Sequence, residues 1–213
     1  MSEMVRFFVE GGVFMVPILF VFLFGVVIAI ERWTYLTVAG ANNRILWNKI
    51  VPYLKAGNFQ EAAAHTAKSK AAIGSILTYG LYRVKSAKRR DDIEKAMEES
   101  MMEVLPRLEK RTHYLATLAN IATLLGLLGT IIGLITAFQA VSNANPADKA
   151  ELLSSSISVA MNTTAFGLIV AIPLLLLHAI LQTKTNQLVD SLEMASVKFL
   201  NAVTERQLGP AGV

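Results

Sequence analysis

Residues 115–141, LATLANIATLLGLLGTIIGLITAFQAV, contain no ionisable side chain. As a helix rising ~1.5 Å per residue the stretch is about 40 Å long, enough to cross a hydrocarbon core of roughly 30 Å. Two further stretches read the same way. Residues 13–30, VFMVPILFVFLFGVVIAI, carry no charge and stop at Glu31 and Arg32, with Trp33 and Tyr35 at interface depth. Residues 157–181, ISVAMNTTAFGLIVAIPLLLLHAIL, have His178 near their end as the one ionisable group. Such lengths are too great and too apolar for strands, and lipid admits only helices or closed barrels. The sequence therefore predicts an all-α integral membrane protein with three transmembrane helices.

The composition agrees. Of 213 residues, 54% are hydrophobic and only 17% charged, and the mean hydropathy is +0.48. There is no Cys, which excludes thiol chemistry, disulfides and thiolate metal sites. His65, His113 and His178 are far apart in the chain and make no metal-ligand spacing, so no metal and no cofactor is expected. A cleaved signal peptide fits poorly. The first apolar core is long for that role, Glu3, Arg6 and Glu10 are not a basic leader, and Ala39-Gly40-Ala41 lies beyond the charged stop. Pro17 falls in the first turn, where its missing N–H costs least.

Lys and Arg set the topology. Residues 1–12 hold one, 31–114 fifteen, 142–155 one and 182–213 three. The positive-inside rule puts 31–114 and the tail in the cytoplasm. The expected order is an outside N-terminal segment (1–12), span one (13–30), a cytoplasmic helical domain (31–114), span two (115–141), an outside loop (142–156), span three (157–181) and a cytoplasmic C-terminal helix and tail (182–213). Gly57–Asn58 breaks the cytoplasmic helices, an apolar stretch follows at 73–84, and Asp91–Asp92 begin the next helix. From Asp92 the helical pattern runs without a strong break to Val141, with Pro106 bending it. Leu188, Leu192, Ala195, Phe199 and Val203 form one stripe after span three. Two of the spans thus extend into a cytoplasmic helical bundle. The basic run Lys85, Lys88, Arg89 and Arg90 reads first as a solvated helix end, with anionic membrane lipid or a partner as the other reading. No nucleic-acid-binding motif accompanies it.

Polar side chains within spans are costly and turn toward protein or water. In span two, Asn120, Thr123 and Thr130 share a face, while Ala122, Gly126 and Thr130, and Gly129, Gly133 and Ala137, repeat every four residues. The glycines read as close helix packing. Thr130 reads equally as packing or as pore lining. In span three, Ser155, Ser158 and Asn162 share a face, Thr163 and Thr164 follow, and Asn162 should find a partner. Pro173 frees the carbonyl near Ile169 and can kink the helix. His178 reads as a wet-interface histidine or as a proton relay. Apart from it, no span holds a titratable group, so a carboxylate that carries protons beside these helices has to come from another chain. No Ser–His pair, paired carboxylates or metal cluster lies in the spans, and no enzyme is expected.

The motifs Gly126-Leu-Leu-Gly-Thr-Ile-Ile-Gly133 with Phe138, and Asn162-Thr-Thr-Ala-Phe-Gly-Leu-Ile-Val-Ala-Ile-Pro173, resemble the signatures of the MotA/TolQ/ExbB proton channel family. Leu115-Ala-Thr-Leu-Ala-Asn120 also resembles it, and three spans make the chain similar to ExbB and TolQ. The resemblance implies a multi-pass protein of a bacterial inner membrane with a periplasmic N-terminus and cytoplasmic C-terminus. It implies a homopentamer whose second and third spans line a pore. It also implies a single-span ExbD/TolR-like partner whose membrane Asp carries the proton, and work done on a TonB- or TolA-like periplasmic protein. By motif match Thr130 and Thr164 are its pore threonines, with Asn162 and Thr123 along the proton path and Gly126, Gly129, Gly133 and Gly167 as packing residues. A Glu often found about five positions before the second threonine is absent, since Ser158, Val159 and Ala160 stand there. A non-conducting scaffold and a sodium-driven motor are the competing readings.

Overall fold

The structure, a computed structural model, describes residues 7, 11–84, 86, 87, 89–143 and 145–207. Lys85 and Lys88 of the basic run lie outside the described residues, as does most of segment 1–12. The helices are α1 (Met15–Ala56), α2 (Phe59–Ala67), α3 (Ala72–Val84), α4 (Arg90–Glu109), α5 (Thr112–Asn143) and α6 (Lys149–Gln207). Among the described residues there is no strand. Three helical stretches, within α1, α5 and α6, are long and apolar enough to cross a membrane.

Two corrections to the sequence reading concern helix continuity. The run expected from Asp92 to Val141 is broken: α4 ends at Glu109, Lys110 turns extended with ψ 135, and Arg111 has φ 66. The extended helices are α1, in place of α5, and α6, which continues past span three to Gln207. With 42 and 59 residues they are about 63 and 88 Å long at ~1.5 Å per residue, far more than the roughly 30 Å of a hydrocarbon core. In addition α6 begins at Lys149, so much of the expected loop 142–156 is helical. Pro173 lies inside α6 and Pro17 in the first turn of α1.

Contacts divide the chain into two compact units, 1–31 with 111–181, and 32–110 with 182–213. The second unit is the charged one. Its core joins Leu36, Leu46, Ile50 and Leu54 of α1, Ile73, Ile76, Leu77 and Leu81 of α3, Ile93, Met97, Val104 and Leu108 of α4, and the expected α6 stripe from Leu188 to Val203. Gly80 permits close packing there, since a Cβ would stand 2.8 Å from both Met97 Sδ and Phe199 Cε1. Helix starts are capped as their sequences suggest. Asn58 Oδ1 accepts the Glu61 N–H (3.3 Å), Asp92 Oδ2 accepts the Arg89 N–H (3.2 Å), and α1 caps α3 when Asn43 Oδ1 accepts the Ile73 N–H (3.2 Å). Arg32 is 3% exposed, and its guanidinium donates to the Leu108 carbonyl in the last turn of α4. Lys184 Nζ donates to Thr37 Oγ1 (2.6 Å) and lies 4.2 Å from the Trp33 ring centroid.

The first unit holds residues 15–31 of α1, α5 and residues 149–181 of α6. Arg111, in left-handed backbone, bonds both oxygens of Glu31 at 2.6 and 2.8 Å. Parts of all three helices remain uncovered. Phe20, Phe24 and Val27 on α1, Leu124, Ile131, Ile135 and Phe138 on α5, and Ile169, Ile172 and Leu176 on α6 are exposed. Such a surface suits lipid or further protein.

Candidate functional site

The chemistry-bearing residues of the first unit gather along the α5–α6 seam. Gly126 and Gly167 face each other with nothing between their backbones. A Cβ on Gly167 would lie 2.8 Å from the Ala122 carbonyl oxygen and 3.1 Å from Gly126 Cα, and one on Gly126 would lie 3.3 Å from Gly167 Cα. Gly129 seats Thr163, whose Cγ2 would be 2.4 Å from an added Cβ, and Gly133 seats Ala160, 2.9 Å from one. The stripe of small residues read from the sequence is thus where α5 and α6 touch. Close backbone approach replaces the hydrophobic drive that lipid does not supply.

The threonines on this seam differ in what they bond. Thr123 Oγ1 donates to its own helix at Ala119 O (3.1 Å), and Thr130 Oγ1 to Leu127 O (2.6 Å). Thr164 Oγ1 instead crosses the seam to Gly126 O at 2.9 Å. Thr163, buried at 2% exposure, lies 2.6 Å from Gly11 O and 3.0 Å from Val159 O. It therefore ties the turn at Gly11–Gly12, where Gly12 has φ 77, to α6. Thr130 and Thr164 are half-buried, Thr123 and Asn120 exposed. Asn162 is half-buried and makes no side-chain hydrogen bond among the described residues, so its expected partner is not found within them.

The sequence reading missed two contacts. Thr163 acts as an anchor, which nothing in the spacing distinguishes from Thr164. His113 and His178, far apart in the chain, come together with ring centroids 6.3 Å apart, and His178 Nδ1 lies 3.1 Å from Thr112 O. Only the antiparallel register of α5 and α6 brings them together. Among the described residues no group of His, Asp or Glu is arranged to hold a metal.

Helices long enough to span lipid, joined by a glycine seam whose polar groups are mostly hydroxyls and amides, define a multi-pass all-α membrane protein. The model of the MotA/TolQ/ExbB proton channel family matches residues 68–194, and the chain belongs to that family. It is 28% identical to an ExbB homolog of Methanothermobacter thermautotrophicus, over 91% of this chain and 68% of that protein. It is 30% identical to an ExbB-like protein of Synechocystis, over 86% of this chain and 72% of that one. The Tol-Pal system protein TolQ of Haemophilus influenzae is 35% identical over 43% of this chain and 40% of its own length. The kinship is with ExbB and TolQ.

Proposed function

We propose that this chain is the pore-forming subunit of an ExbB/TolQ-like proton motor in a bacterial inner membrane. In this reading copies of the chain assemble as a ring, a pentamer by family likeness, around an ExbD/TolR-like single-span partner whose Asp carries the proton. Proton flow then drives a TonB- or TolA-like periplasmic protein. The cationic second unit is cytoplasmic and the N-terminus periplasmic.

The observation that carries the reading is the committed hydrogens of the seam. A Thr hydroxyl has one hydrogen and two acceptor lone pairs. Thr123, Thr130 and Thr164 have each placed that hydrogen on a carbonyl. Toward a visiting side chain they can accept but not donate. A neutral carboxylic acid can bond to such a wall, whereas a carboxylate cannot. The wall therefore favours the loaded, protonated form of the partner's Asp while it crosses lipid depth, as hydrogen bonds to a neutral form do. Asn162, half-buried with amide groups available, and exposed Asn120 and Thr123 mark surfaces that are costly against lipid and fit a protein or water neighbour.

The test is Thr130→Val and Thr164→Val, alone and together, in vesicles that also hold the partner. The expected result is an assembled complex that no longer takes up protons. Normal uptake by an assembled double variant would favour a scaffold, and uptake that requires sodium at fixed pH would favour the sodium-driven form.

A further inference from the structure

We propose that His178 is the point at which a proton leaving the α5–α6 seam is handed to water, its Nε2 being the accepting atom. The inference rests on the proton-conducting reading above and adds to it a residue of this chain. Among the hydrogen bonds that cross the seam are Thr164 Oγ1 to Gly126 O, and His178 Nδ1 to Thr112 O. Fourteen residues separate Thr164 from His178 on α6, and fourteen separate Thr112 from Gly126 on α5. Fourteen residues are about 40° short of four full turns and about 21 Å of rise. The two bonds therefore lie on the same side of the helix pair, one at the threonines and one at the end of the span. Thr123 and Thr130 continue this side on α5, and Thr112 lies five turns from Thr130.

The chemistry at that end suits proton release. A carbonyl only accepts, so the bond to Thr112 O assigns the imidazole hydrogen to Nδ1 and leaves Nε2 as the basic nitrogen. Thr112 is 0% exposed, and its own hydroxyl has no hydrogen-bond partner among the described residues, so the residue bonded to His178 carries a further polar atom to offer. His178 is half-buried while its ring neighbour His113 is exposed, so the pair leads outward. Arg111 at the start of α5 and Glu31 on α1 are charged and bonded to each other. On α6 the next ionisable residue is Lys184, held by Thr37 and Trp33. A neutral imidazole can take up a proton on its free nitrogen and pass it on. The proton stays on the partner's carboxyl beside Thr130 and Thr164, where the wall favours the neutral acid, and leaves it only beyond that wall, at the His178 end. It protonates Nε2 to give imidazolium, which then loses it to bulk water.

The experiment uses the full chain with its Asp-bearing partner in oriented vesicles, and follows proton flux against pH on the His178 side. His178→Asn retains a donor at the Nδ1 position but cannot be protonated. His178→Gln is the second variant, and the mass of the extracted complex shows which of them assembles. Acidifying that side is expected to slow the wild-type flux, because an Nε2 that already holds a proton cannot accept another. An assembled variant is expected to be about a hundredfold slower, the lower end of what a positioned acid–base group contributes. Its flux should not respond to the pH of that side and should be restored by added free imidazole. An assembled variant with the wild-type rate and profile overturns the proposal. So does a slow variant that keeps the wild-type pH profile and ignores imidazole, since that outcome is structural. No flux from the wild-type complex would defeat the motor reading itself, and this inference with it.

Discussion

Gly167→Ala adds one methyl group where α5 and α6 have no room for it. The new Cβ would stand 2.8 Å from the Ala122 carbonyl oxygen, 3.1 Å from Gly126 Cα and 3.4 Å from Gly126 N. All three are backbone atoms inside a helix, so no side chain can swing away. Relief to ordinary contact requires the helices to part by about 0.5 Å, an overpacking that typically costs about 1–3 kcal/mol. The same displacement stretches the Thr164–Gly126 bond from 2.9 Å toward about 3.4 Å, near the limit for a hydrogen bond. The variant should therefore lose both packing and a seam bond. Taking about 2 kcal/mol, and about 2–4 °C per kcal/mol for a chain of this size, its extracted form should unfold about 4–8 °C lower. Gly40→Ala is the control. Its Cβ would meet only Leu188 Cδ1, at 3.3 Å, the end of a flexible side chain. There alanine's better helix propensity, about 1 kcal/mol, should leave stability equal or raised. Thermal unfolding of both variants, followed by helical circular dichroism, decides the matter. Equal midpoints for Gly167→Ala and Gly40→Ala would refute the backbone-to-backbone seam.

Thr163→Val keeps the shape but removes the hydroxyl that bonds Gly11 O, leaving a buried carbonyl without that donor. A loss of about 1–3 kcal/mol is expected, read as faster amide exchange at Gly11–Val13 with little change in α5. Arg111→Gly removes the half-exposed Glu31 pair, worth about 0–1 kcal/mol, but relieves a left-handed backbone that costs a non-glycine residue about 1–2 kcal/mol. Its unfolding midpoint should match the wild type or exceed it, whereas Arg111→Val should fall below both.

The parts of this fold that were legible in the sequence are those set by composition and local period. Uncharged length alone gave the apolar stretches in α1, α5 and α6. Gly126, Gly129 and Gly133, spaced by three and then four residues, gave the seam, because close approach needs small residues on one face whatever the partner helix is. The α6 stripe from Leu188 to Val203 was legible for the same reason. The break at Lys110–Arg111 was not. Neither Gly nor Pro stands there, and Leu108, Glu109, Lys110 and Arg111 are all good helix formers, so local propensity does not mark a break. What defines the break is remote in sequence: Arg32 bonds the Leu108 carbonyl, and Glu31 bonds the Arg111 guanidinium. Two neighbouring residues of α1 thus meet the backbone and side chain on either side of the interruption, and tertiary bonds override propensity. The polar site divides along the same line. That Thr163 and Thr164 lie in the seam follows from periodicity. That one holds Gly11 and the other Gly126 follows from which helix approaches each side, 100° apart on α6. His178 is the extreme case. As a lone residue near a span end it supports two readings, and only the carbonyl of Thr112 and the ring of His113, brought by the antiparallel return of the chain, give it a tautomer and a neighbour.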